Sequence, residues 1–212
     1  MIEITESMLD SLRETVMQKM SVKRFRHTAA VEQMIVRLCA LYCPEQTVRL
    51  RAAAILHDVT KELSLQEQCA LCKAYGLPVT EQDLLAPKTF HARTAAAMIQ
   101  KVFPDFADET VISAVRWHTT GRADMTLTEK LLYLADYIDE SRTFHNCVLL
   151  RRYFWGADPA SMTATEREAL LRDTLILSYN MTVRDLLEEG TPVAEDTVQA
   201  RNALLLEKAR EQ

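Results

Sequence analysis

Glycine and proline are scarce in this chain: among 212 residues there are four of the first and six of the second. Disordered and all-β chains need more of both, so the shortage argues against them and in favour of a compact, helix-rich globule. Long runs of Lys and Arg are also missing, and the formal net charge is −5. A protein that tracks a nucleic-acid backbone needs a basic stripe, so nucleic acid is not an expected partner; a small polyphosphate needs only a few convergent cations. The N-terminus, Met1-Ile2-Glu3-Ile4-Thr5-Glu6, has neither a cationic start nor an apolar stretch, and no apolar run approaches the length of a membrane span. No membrane partner is expected, and the expected location is cytoplasmic.

Cysteines number five, an odd count that speaks against a disulfide framework and fits a reducing compartment. Cys39 and Cys43 at C-x3-C, with Cys69 and Cys72 at C-x2-C, offer four thiolates for a zinc ion. Both pairs fall at helical spacing, the first in apolar sequence, where Cys commonly acts as a small buried hydrophobe; the zinc module is the weaker reading.

Helix punctuation, by contrast, is dense. Ser7 with Asp10 opens a first amphipathic segment, and Ser21 opens a second that Pro44 stops. A third runs from about Glu45 to His57-Asp58. Ser64-x-x-Glu67 boxes a helix that ends at Gly76, and Thr80 caps a short turn closed by Pro87. Helices then follow from about Phe90 to Val102, from about Ala107 to Trp117, and from the Thr126-x-x-Glu129 box through Asp139. Beyond Arg142 the pattern loosens until Thr163-x-x-Glu166, which starts a long helix to about Glu188. Gly190-Thr191-Pro192 separates it from a last helix at about 194–210. The expected fold is all-α, a bundle of about nine to ten helices in one domain spanning 1–212.

The chemistry lies in the histidines. Four of the five fall, with two aspartates, in the order His27, His57-Asp58, His91, His118, Asp136. Imidazole suits transition metals, and a carboxylate with two oxygens can bridge a pair of ions. Asp136 interrupts the apolar run Leu131-Leu132-Tyr133-Leu134-Ala135, where an unpaired buried carboxylate costs several kcal/mol, so it needs a cation. The competing reading puts Asp136 on a wet face beside Asp139 and Glu140. A lone His-Asp dipeptide is a weak signal, but the ordered set of six is a strong one.

With these residues placed, the sequence resembles the HD superfamily of phosphohydrolases and, more narrowly, the symmetrical bis(5'-nucleosyl)-tetraphosphatases of the YqeK type. The resemblance rests on Arg24-Phe25-x-His27-Thr28, His57-Asp58-x-x-Lys61, His118-Thr119-Thr120-Gly121-Arg122, Met125-Thr126-Leu127-x-Glu129-Lys130 and Tyr133-x-Ala135-Asp136-Tyr137-Ile138-Asp139-x-x-Arg142, over roughly residues 20–185. It implies an HD-domain helical bundle with a C-terminal helical extension at 192–212. It also implies two divalent metal ions, iron first, with manganese or zinc accepted by the same donors. By that resemblance His27, His57, Asp58 and Asp136 hold one ion and Asp58, His91 and His118 the other, with Asp58 as the bridge and a hydroxide between the ions as nucleophile. The implied reaction cleaves diadenosine tetraphosphate symmetrically into two ADP.

Asp58 and Lys61 are then the catalytic candidates, and Arg24, Lys61, Thr119, Thr120, Arg122 and Arg142 the candidates for substrate phosphates. Trp117 and Tyr137 are candidates for stacking on adenine or for packing. The chain departs from the family pattern at Asp139, where Glu is usual, at the extra His145, at a small insertion over 155–165 and in the helix after Pro192. The alternatives are an HD phosphohydrolase acting on a nucleoside monophosphate or guanosine tetraphosphate, and a non-catalytic nucleotide-binding HD module. The expected partner is a dinucleoside polyphosphate or other small nucleotide, and the chain is compatible with a homodimer.

Overall fold

The computed structural model describes residues 4–211, the side chain of residue 82 excepted; residues 1–3 of the acidic start and residue 212 lie outside the described residues. The described chain forms eleven α-helices and no strand. In order they are α1 (Glu6–Met17), α2 (Val22–Tyr42), α3 (Thr47–Leu56), α4 (Leu65–Ala74), α5 (Glu81–Leu85), α6 (Phe90–Val102), α7 (Glu109–Trp117), α8 (Leu127–Ile138), α9 (His145–Gly156), α10 (Ala164–Glu188) and α11 (Glu195–Ala209). Pro44, Pro87 and Pro104 each begin a single 3-10 turn, where a missing N–H costs nothing.

The capping residues behave as their chemistry dictates. Ser64, Thr80, Thr126 and Thr163 each accept from the backbone N–H three residues on, and the acidic residue there reaches back to the cap, closing four capping boxes. The first helix starts two residues earlier than Ser7, with Thr5 as cap accepting from Met8 N. The bundle has one more helix than the upper estimate of ten, and α9 is the surplus. Its N-cap Phe144 makes no side-chain hydrogen bond, so nothing in the local sequence announces the start. The stretch 155–165 forms the end of α9 and the turn into α10, where Asp158 adopts φ of 53°.

Five elements place the site. Helix α2 packs on α3 and α8, α3 packs on α7, and α7 packs on α6 and α8. Ala52, Ala53 and Ala54 of α3 are fully buried, and side chains this small let α2 and α7 approach α3 closely. Helix α8 is buried nearly all round, from Leu131 through Asp136, as expected of a central helix. Tyr133 of α8 stacks between Tyr137 and Tyr179, with ring centroids 5.0 and 4.7 Å away, which ties α8 to α10. Ala200 and Leu204 of α11 belong to the same hydrophobic core.

Candidate metal centre

Histidines at helix ends have backbone carbonyls within reach, and two of the four use them. His57, the C-cap of α3, places Nδ1 2.6 Å from Ala54 O, and His118, the C-cap of α7, places Nδ1 2.7 Å from Val115 O. A carbonyl only accepts, so Nδ1 carries the proton in both rings and the Nε2 lone pairs point inward. This is the orientation that metal-binding imidazoles take. His27 comes from the first turns of α2 and His91 from the first turn of α6, whose carbonyl accepts from Thr60 Oγ1 at 3.0 Å.

Asp58 lies at the centre, buried to 3% exposure, and its two oxygens face different histidines. Oδ2 is 3.4 Å from His57 Nε2 and 3.7 Å from His27 Nε2, while Oδ1 is 3.4 Å from His91 Nε2 and 3.8 Å from His118 Nε2. Asp136 Oδ1 is 2.9 Å from His27 Nε2 and 3.8 Å from His57 Nε2, so Asp136 lies on the His27 side. All six candidate ligands therefore converge, although their positions span 110 residues of sequence from 27 to 136.

The donors fit a metal. His57 Nε2 is buried and has no hydrogen-bond partner, and such an orphan is costly unless a cation uses its lone pair. His27, His57 and Asp136, and separately His57, Asp58 and His118, each bring ligand atoms within 4.8 Å of one another. These groups contain no Cys, and the two cysteine pairs lie apart on α2 with its end and on α4.

The titration behaviour of both aspartates, His91 and His118 points the same way. Burial disfavours charge on Asp58 and Asp136, yet the neighbouring His57 and, for Asp136, Arg142 hold both carboxyls well below the usual range. Burial pushes the His91 and His118 imidazoles down, which keeps them neutral and able to ligate. For His27 burial also lowers the pKa, but hydrogen bonding to Asp136 and Asp139 outweighs it and raises the value to about 9.

A cavity of about 520 Å³ opens beside this centre, with Lys61, Thr119, Asp136, Tyr137 and Arg142 in its wall. Lys61 Nζ is 3.2 Å from the His91 ring, and burial lowers its pKa against the pull of Asp58 and Asp136. Thr119 Oγ1 is 3.0 Å from His91 Nε2 and 3.1 Å from His118 Nε2. Thr120 also lines the cavity, with its hydroxyl donating to Gly121 O at 2.9 Å.

Arg142 pairs with the Asp136 carboxylate and donates from Nε to the Asp136 carbonyl at 2.7 Å. Arg24 Nη1 bonds Asp58 Oδ2 at 2.6 Å. Tyr137 Oη pairs with Thr182 at 2.9 Å, whereas Trp117 lies under Arg116 at 4.0 Å. His145 is exposed at the start of α9 and is not among the residues that line the cavity.

Arg122 is placed differently from its expected role beside the phosphates. It is not among the residues lining this cavity; its guanidinium pairs with Glu129, a fully buried carboxylate that also closes the α8 capping box. A buried carboxylate demands a counter-charge, and Arg122 is the cation within reach. An Arg122→Ala change should therefore lower thermal stability by about 1–3 kcal/mol, reduced from the fully buried case because the arginine is about a third exposed. Thermal melts beside substrate titrations check this: a large loss of substrate affinity with an unchanged melting temperature would restore the phosphate role.

Sequence reasoning noted Asp139 only as a departure from the family pattern. The structure buries it completely, with Oδ2 3.4 Å from His27 Nδ1 and Oδ1 accepting from Ser141 N at 2.8 Å. Ser141 Oγ lies 3.2 Å from the same His27 nitrogen. Asp139 and Ser141 thus orient His27 from behind, the task backbone carbonyls perform for His57 and His118. A buried acid three residues after Asp136 was the available signal.

Comparison with known proteins agrees with this geometry. The HD domain family model matches residues 24–141, a span that contains all six converging residues. A symmetrical bis(5'-nucleosyl)-tetraphosphatase of Halalkalibacterium halodurans is 32% identical over 187 residues, covering 87% of this chain and 90% of that protein. One from Bacillus subtilis is 30% identical over 190 residues, covering 90% and 94%. The crystal structure of a predicted HD superfamily hydrolase involved in NAD metabolism from Clostridium acetobutylicum superposes with a TM-score of 0.80 at 28% identity, over 93% of this chain and 97% of that one. The all-helical fold, the converged histidines and aspartates and these relatives together place the chain in the HD-domain hydrolase family, alongside the symmetrical bis(5'-nucleosyl)-tetraphosphatases.

Proposed function

We propose that this protein hydrolyses diadenosine tetraphosphate symmetrically to two ADP with the help of two divalent ions, iron in the first place. The observation that carries the reading is the division of the Asp58 carboxylate between two histidine groups, next to a cavity walled by Asp136, Lys61 and Thr119. His27, His57, Asp58 and Asp136 would hold one ion, and Asp58, His91 and His118 the other. Bound there, such ions lower the pKa of water and neutralise charge on phosphoryl oxygens.

The remaining work falls to the protein. Water adds at a phosphorus next to the central bridging oxygen, the bond from that phosphorus to the bridge breaks, and each half leaves as ADP. Lys61, half enclosed in the cavity wall and less basic than a free lysine, is placed to donate a proton or hydrogen bond to the departing oxygen. Thr119 and Thr120 offer hydroxyls to the phosphates, and Arg142 supplies positive charge at the same wall; Arg24 is not among the lining residues and bonds Asp58 Oδ2 instead. Tyr137 lines the same cavity.

Product identification tests the reading. Protein purified without oxygen and loaded with iron or manganese should convert diadenosine tetraphosphate to ADP alone. ATP with AMP as products, or no turnover, would sink it.

A further inference from the structure

A second cavity of about 490 Å³ adjoins the first. The two share Leu85, Ala86, Thr89, Thr120, Pro192 and Ala194 in their walls, so they are neighbouring compartments that meet at these residues. Each is of a size that small ligands use. The metal-side compartment carries Lys61, Asp136 and Arg142; the second carries Arg93, Arg116, Glu195 and Asp196.

The two arginines of the second compartment differ. Arg93 is neutralised by Asp83 at 2.9 Å and also donates to Pro78 O. Arg116 is half-buried, holds its guanidinium carbon 4.0 Å from the centre of the Trp117 ring and, among the described residues, makes no ion pair and no hydrogen bond. A guanidinium held over an indole keeps its N–H donors free, the state in which arginine best receives a phosphate. Arg116 also sits one turn or less before His118 on α7, so one helix end sets both compartments. Across from it the first turn of α11 contributes Glu195 and Asp196, acceptors suited to ribose hydroxyls.

A single mononucleotide would have no use for a second compartment. A substrate with a nucleoside at each end of a phosphate chain needs two. We propose that the Arg116 compartment binds the nucleoside diphosphate half of the substrate that departs on cleavage, with Arg116 on its phosphates and Asp196 on its ribose. This rests on the dinucleotide reading above, and it assigns the segment before α11 a place in the substrate site.

Calorimetric titration of the metal-loaded protein with ADP, the expected product, tests the compartment. Two ADP should bind per chain. Arg116→Gln should weaken one of the two sites about tenfold, the loss of a charge-assisted hydrogen bond, and leave the other as it was. Asp196→Asn, on the opposite wall, should weaken the same site and guards against a folding defect in the first variant. One ADP per chain in the unaltered protein, or two sites that both variants leave alone or weaken equally, would overturn the compartment while leaving symmetrical hydrolysis intact. Absence of dinucleotide cleavage by the unaltered protein would remove both.

Discussion

An Asp58→Ala variant, purified without oxygen under iron-replete conditions, is expected to retain less than about one metal ion per chain and to lose at least about 100-fold in activity. The expectation follows from the position of one carboxylate between two sets of donors. Oδ2 faces His27 and His57, and Oδ1 faces His91 and His118, so its removal takes a negative donor from both groups at once, and only the His27 side keeps a carboxylate, that of Asp136. It also leaves the Arg24 guanidinium, which bonds Oδ2 at 2.6 Å, without that partner. His57→Ala should lose metal as well, because the His57 ligand nitrogen lies within 4.8 Å of those of His27 and Asp136 and also of those of Asp58 and His118. Elemental analysis with parallel ADP release decides the matter. Two ions retained by Asp58→Ala would refute the bridging arrangement, and full retention by His57→Ala would revive a cysteine-based module.

The second large effect concerns stability. Gly121 follows Thr119-Thr120 at the exit of α7, with φ of +64° and its N–H bonded to Trp117 O at 2.9 Å. A β-carbon there would stand 1.9 Å from Tyr179 Oη and 3.0 Å from both Ala200 Cβ and Met125 Sδ. Tyr179 is fully buried in the stack with Tyr133 and cannot swing aside cheaply. Left-handed backbone strain of about 1–2 kcal/mol and overpacking of about 1–3 kcal/mol together predict a loss of about 2–5 kcal/mol for Gly121→Ala. For a chain of this size that is roughly 4–20 °C in melting temperature. Gly76→Ala separates the two contributions: φ is +69° but nothing lies within 4 Å, so only the backbone strain should appear. Equal melting shifts for the two variants would show that the contact with α10 and α11 carries no weight.

The Gly121 contact also explains why the helix after Pro192 had no motif to match. Its part is steric: Ala200 packs against the loop that follows His118, and the segment from Pro192 to Asp196 walls the second cavity. Small apolar and polar residues at such contacts look unremarkable in one dimension, since their meaning depends on what faces them. The Phe144–Gly156 stretch is a related case. With no capping side chain at Phe144, helix α9 owes its start to tertiary packing, as the burial of Cys147, Leu150 and Phe154 shows.

The amino-acid sequence by itself determined the helical class, most helix boundaries and the identity of the six histidines and aspartates that the fold brings together. These are readable because capping boxes act within four residues and because His and Asp in apolar surroundings carry a cost that calls for a cation. Tertiary structure alone decided how those groups divide and which cations attend them. The two oxygens of Asp58 are equivalent until α2, α3, α6 and α7 bring their histidines from opposite sides. Arg122 and Arg142 read alike beside the motif, yet one neutralises buried Glu129 and the other Asp136 at the cavity wall. The physical reason is range: a hydrogen-bonded cap is a local event, whereas the partner of a buried charge is whichever opposite charge the packing of distant helices leaves within reach.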